Sequence, residues 1–313
     1  MRMRRTLAFV AFGICLLTVV VKSRATSVRS GDWTLRKSDE AGKVEFSLIE
    51  RHRGGNSSNE SDWPASSFSG VDFSKPGRQD VRFTILRDAG KLQCEGSLNN
   101  GEGTGVFHFE PDPNYSRQMR GLGFSVDEER QYSMAVLDVS LEFARQMKAE
   151  NLTDLDAEKL IAFRIHGVNA AFVDELRAAG LKVSDSDKLV AFRIHGVSPE
   201  MVCLLHQAGY SPDEDTLVAM RIHGATPEWI ADLKNRGYDH VDLEELIAFR
   251  IHGVSPEFIE KLQGLGYSHP EPEQLVAMRI HNVTPEYIKN LHSRGMNHLS
   301  IDQLVEMRIH GID

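Results

Sequence analysis

Leu246-Ile247-Ala248-Phe249-Arg250-Ile251-His252-Gly253-Val254-Ser255-Pro256-Glu257 decides the reading of this chain. It is one of six copies, the others starting at Leu160, Leu189, Leu217, Leu275 and Leu304, in steps of 29, 28, 29, 29 and 29 residues. A fixed period of this length means stacked supersecondary units.

Each copy reads as two short helices. Four residues before each leading Leu stands Asp156, Asp185, Asp213, Asp242, Glu271 or Ser300. Asp and Ser are good helix N-caps. Two residues before each Leu stands an acid, Glu158, Asp187, Asp215, Glu244, Glu273 or Asp302, where negative charge meets the positive end of the helix dipole. The helix stops at Gly167, Gly196, Gly224, Gly253, Asn282 or Gly311. Asn is the other residue that tolerates a left-handed C-terminal conformation, so the demand is on the backbone. The second helix opens with Ser198-Pro199-Glu200, Thr226-Pro227-Glu228, Ser255-Pro256-Glu257 or Thr284-Pro285-Glu286, each a hydroxyl cap followed by proline and an acid. Leu246, Ile247, Phe249 and Ile251 are expected to face neighbours, as are Phe258, Ile259, Leu262 and Leu265. One such pair cannot bury its apolar faces alone, so the copies must stack into an α-solenoid.

Weaker copies precede the clear ones. Counting 29 back from Leu160 reaches Gln131, with Asp127 as the cap and Asp138 where the glycine belongs. Residues 112–155 therefore read as degenerate capping copies and 156–313 as clear ones, together an all-α repeat solenoid over 112–313. Residues 28–110 have another texture. Val44, Phe46 and Leu48 alternate with polar residues, as do Val81, Phe83 and Ile85, and Asp88-Ala89-Gly90 marks a turn, so a small N-terminal antiparallel β domain is expected. Asn56 to Gly70, rich in Ser and Asn, reads as a loop. Gly101, Gly103 and Gly105 precede a strand rather than a helix, which favours a hairpin over a phosphate cradle.

Residues 1–25 read as a signal peptide or N-terminal anchor. Arg2, Arg4 and Arg5 precede the apolar run Leu7–Val21, and Ser23-Arg24-Ala25 offers a cleavage site. Export, with membrane anchoring through Leu7–Val21 as the alternative, is the expectation. Cys94 and Cys203 lie far apart in sequence and read as buried small apolar residues, without a disulfide framework. The 313-residue chain has a formal charge of −9. From Asn151 to Asp313 there are 25 acids and 15 Lys or Arg, giving −10, so the array carries the acidity.

Two positions demand an explanation. Arg164, Arg193, Arg221, Arg250, Arg279 and Arg308 hold one, and His166, His195, His223, His252, His281 and His310 hold the other. Cations near a helix C-terminus meet its dipole and can bond its last carbonyls, a structural ladder. Pairing of the arginines with Glu200, Glu228, Glu257 or Glu286 would add to it. Metal binding by the histidines is the alternative. Stacked helices lie about 8–10 Å apart, so a regular ladder separates the imidazoles too far to share an ion. Acid sensing by six imidazoles is a third reading. No cofactor is read from the sequence.

The phrase Arg-Ile-His-Gly-Val-(Ser/Thr)-Pro-Glu, with Gly-Tyr about ten residues on, resembles the repeat tails of bacterial membrane metallopeptidases of the β-lactam-sensor type and of envelope repeat proteins. The resemblance covers 160–313 well and 112–155 weakly. It implies a bacterial envelope protein. It imports no peptidase activity, because the His-Glu-x-x-His helix is missing. Gly253-Val254 also resembles the turn of a helix-hairpin-helix, with Ser255 where the second glycine belongs; a phosphate binder needs a positive array, and no nucleic acid is expected.

The resulting expectation is a non-enzymatic exported interaction or scaffold protein, with an envelope protein as partner and Lys234, Lys261, Lys289 and Asn290 as candidate contacts. The alternatives are an enzyme or ligand site in the β domain, where His52, His108, Asp88 and Cys94 are available without a spacing that links them, or helix-hairpin-helix-like binding of a nucleic-acid backbone by the repeats.

Overall fold

The computed structural model describes residues 29–52 and 55–312; Leu7–Val21 and the expected signal or anchor fall outside them. Among the described residues six strands precede fourteen α-helices. The strands are β1 (Arg29–Lys37), β2 (Lys43–His52), β3 (Gly55–Pro64), β4 (Arg78–Arg87), β5 (Gly90–Asn99) and β6 (Glu102–Pro111). All pairings are antiparallel, in the order β3-β2-β1-β6-β5-β4.

This sheet is curled. β2 and β4 stand four strands apart, about 19 Å in a flat sheet. Yet the rings of Phe46 on β2 and Phe83 on β4 lie 6.2 Å apart, and Trp33 on β1 lies 5.3 Å from Phe83. The aromatic residues of the inner face therefore close a core of Trp33, Phe46, Trp63, Phe68 and Phe83. Gly105 permits the fit: a Cβ there would sit 2.6 Å from the Trp33 indole nitrogen and 2.0 Å from the Glu95 carbonyl. Asn100-Gly101, both with positive φ, turn β5 into β6, so the glycine run lies in a hairpin.

The expected loop from Asn56 to Gly70 is corrected. Its first half is β3, paired along its length with β2. The side-chain pattern hid it because this edge strand, Gly55–Pro64, is held by a backbone ladder to β2 and has one large apolar residue, Trp63, in a run otherwise of Gly, Asn, Ser, Glu, Asp and Pro.

The helices follow as α1 (Pro113–Gly121), α2 (Glu128–Val136) and α3 (Leu141–Ala149), then in pairs: α4 (Ala157–His166) and α5 (Ala170–Ala178), α6 (Ser186–His195) and α7 (Pro199–Gln207), α8 (Glu214–His223) and α9 (Pro227–Asn235), α10 (Leu243–His252) and α11 (Pro256–Gln263), α12 (Pro272–Ile280) and α13 (Pro285–Ser293), and α14 (Ile301–Ile309). The start signals act as read. For example, Asp242 accepts from the amide of Glu245, and Thr226 from that of Trp229. The stops do too: Gly167, Gly196, Gly224 and Gly253 have φ of 73–76°, and Asn282 takes 56°. First helices stack on first helices, and second on second. Leu160, Leu189, Leu217, Leu246, Leu275 and Leu304 are fully buried along the axis.

The degenerate copies join sheet to solenoid. Gln131 stands where later units have Leu, and its amide donates to the carbonyls of Ala89 (2.8 Å) and Asp112 (2.7 Å). Tyr132 lies against Phe107 and Phe109 of β6. Asp138, in the glycine position, pairs with Arg87 of β4 at 3.3 Å. These positions depart from the repeat because they face a sheet instead of another unit.

Candidate functional site: three ladders and an exposed row

The repeated arginines bond carbonyls at helix C-termini, as expected, but those of the preceding unit. Arg193 Nε donates to the Gly167 carbonyl (3.0 Å), Arg221 to His195 (3.0 Å), Arg250 to His223 (3.3 Å) and Arg279 to His252 (3.2 Å). All of the repeated guanidiniums but that of Arg221 also cover a ring of the preceding second helix. Arg193 lies 4.3 Å from the centre of Phe172, Arg250 5.1 Å from Trp229, Arg279 5.0 Å from Phe258 and Arg308 4.7 Å from Tyr287. At the equivalent position before Arg221 stands Met201, which offers no ring. One residue thus satisfies orphan carbonyls and stacks as a cation on an aromatic face.

The stop glycine is tied to the same contact. A Cβ on Gly224 would meet Arg250 Nη2 at 2.9 Å. The expected pairs with Glu200, Glu228, Glu257 and Glu286 do not form among the described residues. The carboxyls of Glu228, Glu257 and Glu286 sit at their own helix N-termini instead. Glu228 is held below the ordinary carboxylate range chiefly by its own backbone amide and then by the Thr226 hydroxyl; for Glu257 the Ser255 hydroxyl comes first.

A second ladder runs along the second helices. Lys148 donates to the Leu122 carbonyl, Arg177 Nη2 to Glu150 (2.8 Å) and Lys234 to Ala208 (2.6 Å), while His206 Nδ1 lies 2.8 Å from the carbonyl of Ala179. A third uses the Gly-Tyr tyrosines. Tyr210, Tyr238 and Tyr267 donate to the carbonyls of Val241 (2.9 Å), Pro270 (2.9 Å) and Leu299 (3.0 Å) of the following unit. Burial pushes the Tyr238 phenol up to about 12, so it stays a donor at any physiological pH.

Of the six repeated histidines, His195, His223 and His252 contribute carbonyls to the first ladder, and among the described residues no hydrogen bond of a repeated imidazole is seen. Among the described residues no cluster of three His, Cys, Asp or Glu is placed to hold a metal ion. Of the candidate contacts, Lys234 is engaged: its ammonium covers the Tyr210 ring at 4.5 Å. Lys261, Lys289 and Asn290 are exposed.

Of the β-domain residues, Asp88, Cys94 and His108 do not converge, and the side chain of His52 lies outside the described ones. Cys94 faces the core and burial pushes its thiol up to about 12. His108 is exposed and pairs in register with Gln93, whereas Cys94 pairs with Phe107, so alternation puts them on opposite faces. Asp88 accepts from the Leu141 amide at 2.9 Å. Cys203, expected to be buried, is exposed.

One further expectation is overturned. Ile251 does not face a neighbour. Ile165, Ile194, Ile222, Ile251, Ile280 and Ile309 are 53–58 % exposed, the most exposed large apolar side chains of the array among the described residues. The isoleucine lies five residues past the buried Leu and two past the Phe or Met, which is buried in every copy but the last, where Met307 is half-buried. At about 3.6 residues per turn that is the side away from the core. Sequence periodicity missed it because Leu-Ile-x-Phe-x-Ile offers apolar residues all round the helix. The signal was present: the same residue in six copies at the angle opposite the core.

No protein-family model matches this chain, and no curated protein matches it.

Proposed function

We propose that this is a non-enzymatic, exported interaction or scaffold protein whose acidic α-solenoid holds a partner protein. The carrying observation is the row of six exposed isoleucines on units locked by three side-chain ladders. Contiguous exposed apolar surface marks interaction sites, and the ladders hold its rungs in fixed register. The curled sheet, fastened to the first units, serves as a second contact or an anchor. Export to the bacterial envelope rests on Arg2, Arg4, Arg5 and the apolar run Leu7–Val21, and on the resemblance of the repeats to envelope repeat tails.

The test is cross-linked capture in envelope fractions with the tagged full chain, beside two variants. One carries Ile222→Ser, Ile251→Ser and Ile280→Ser; the other carries Lys261→Ser, Lys289→Ser and Asn290→Ser. A partner held by the wild type and lost by one variant supports the reading and names the face. A chain that cross-links to nothing in any form sinks it and leaves the repeats a passive structural role.

A further inference from the structure

We propose that the isoleucine row seats an extended, basic polypeptide segment carrying an apolar side chain at every third residue. This rests on the interaction reading above and commits it to one face and one class of partner.

The chain already shows what this face accepts. In the first unit, α2 lies against β5 and β6. Tyr132, at the position of Ile247, is 5 % exposed and stacks on Phe107 and Phe109. Val136, at the position of Ile251, is 7 % exposed. Glu129, at the position of Glu244, lies 3.8 Å from Arg29 of β1. The sheet therefore covers this side of the helix once, with rings against the position of Ile247, one turn from the row, and an arginine on the acid. In the later units the row is open.

Spacing selects the conformation. Rungs on packed helices are about 8–10 Å apart. Three residues of polyproline II rise about 9.3 Å and return to the same face, whereas a β-strand returns to one face every two residues, about 6.6 Å. An α-helix returns to one face after about 5.4 Å or, over two turns, about 10.5 Å, so polyproline II gives the closer match.

Charge selects the sign. The acid two residues before each Leu lies seven residues before the isoleucine, on the same side of the helix. Arg130, Lys159 and Lys188 pair with Glu158, Asp187 and Asp215. In the next units Thr216 and Glu245 replace those cations, and Glu244 and Glu273 carry no ion pair among the described residues. On the other flank Arg250 and Arg279 are already occupied by carbonyls and rings. The track is short of positive charge, and a basic segment supplies it.

The experiment is fluorescence anisotropy with the full chain and a labelled six-fold Ile-Pro-Lys peptide. The comparisons are a scrambled peptide of the same composition and one with Glu for Lys. The ordered basic peptide is expected to bind at least about ten-fold tighter than either. Ile222→Ser/Ile251→Ser/Ile280→Ser is expected to lose about ten-fold, and Glu244→Gln/Glu273→Gln to weaken binding and flatten its salt dependence. These positions are exposed, and unchanged circular dichroism and melting confirm folding. Equal binding of the scrambled peptide means adhesion to an acidic surface and overturns the proposal; so does indifference to the Ser variant, or no binding. A cellular partner captured equally by wild type and Ser variant would retain the scaffold reading while removing this one.

Discussion

Arg250 ties two units together with one side chain. Its Nε donates to the His223 carbonyl and its plane covers Trp229. Lysine keeps the charge but not the flat, fork-shaped group. Arg250→Lys is expected to cost about 1 kcal/mol and Arg250→Ala about 1–3 kcal/mol, since the carbonyl loses its donor and the ring its cover; urea melts of the full chain measure both. Glu245 illustrates the opposite sign. Partial burial first, then Asp242 and Glu273, raise its carboxyl above the ordinary value. The charged form is thus worse off in the folded chain than in the unfolded one. Glu245→Gln should raise the melting temperature at pH 7. The gain should shrink as pH falls through the raised folded value and vanish below the unfolded value of about 4.3. A gain independent of pH would show that packing, not charge, is the cause.

At the scale of the element, each first helix is about three turns long and marginal alone. Its ends are therefore decisive. The start is self-sufficient: Asp242 bonds the Glu245 amide within its own unit. The stop is shared, because Gly224 at φ 75° sits under the arginine of the next unit. Gly224→Ala should cost about 1–2 kcal/mol for the left-handed backbone alone, with a further loss from the displaced Arg250. Tyr238→Phe removes only a hydroxyl, yet it leaves the buried approach to the Pro270 carbonyl without a donor. About 0.5–1.5 kcal/mol is expected, and hydrogen exchange should report the loosening at α12, in the next unit, before it appears at α8.

At the scale of the molecule, the sheet caps the solenoid. Its inner face is filled by its own aromatic residues, and Phe107 and Phe109 also meet Tyr132 of α2. Gln131 spans the joint with two bonds to backbone carbonyls. Solenoid stability is a sum of unit and neighbour terms, so a weakened joint should split the transition. Tyr132→Ala is expected to cost about 3–5 kcal/mol. It should turn a common melt of sheet and first units into two, followed by near-ultraviolet dichroism for the sheet's tryptophans and far-ultraviolet dichroism for the helices. A single undivided transition at lower temperature would mean that sheet and array are coupled by more than this contact.

The sequence by itself determined the solenoid. Caps, stops and the Leu and Phe positions are local signals, each acting within a few residues, and six copies repeat them. It also determined much of the β domain, through alternation and turn residues, but not β3, whose ladder bonds leave no side-chain pattern. Only the tertiary structure decided what the repeated residues are for. That a helix C-terminus wants a cation is a local rule; that the cation comes from the next unit depends on how units stack. Gln131 and Asp138 looked like worn copies until the sheet they hold was in view. Ile251 looked like core, because periodicity finds apolar residues but cannot tell which side of a short helix its neighbours will cover.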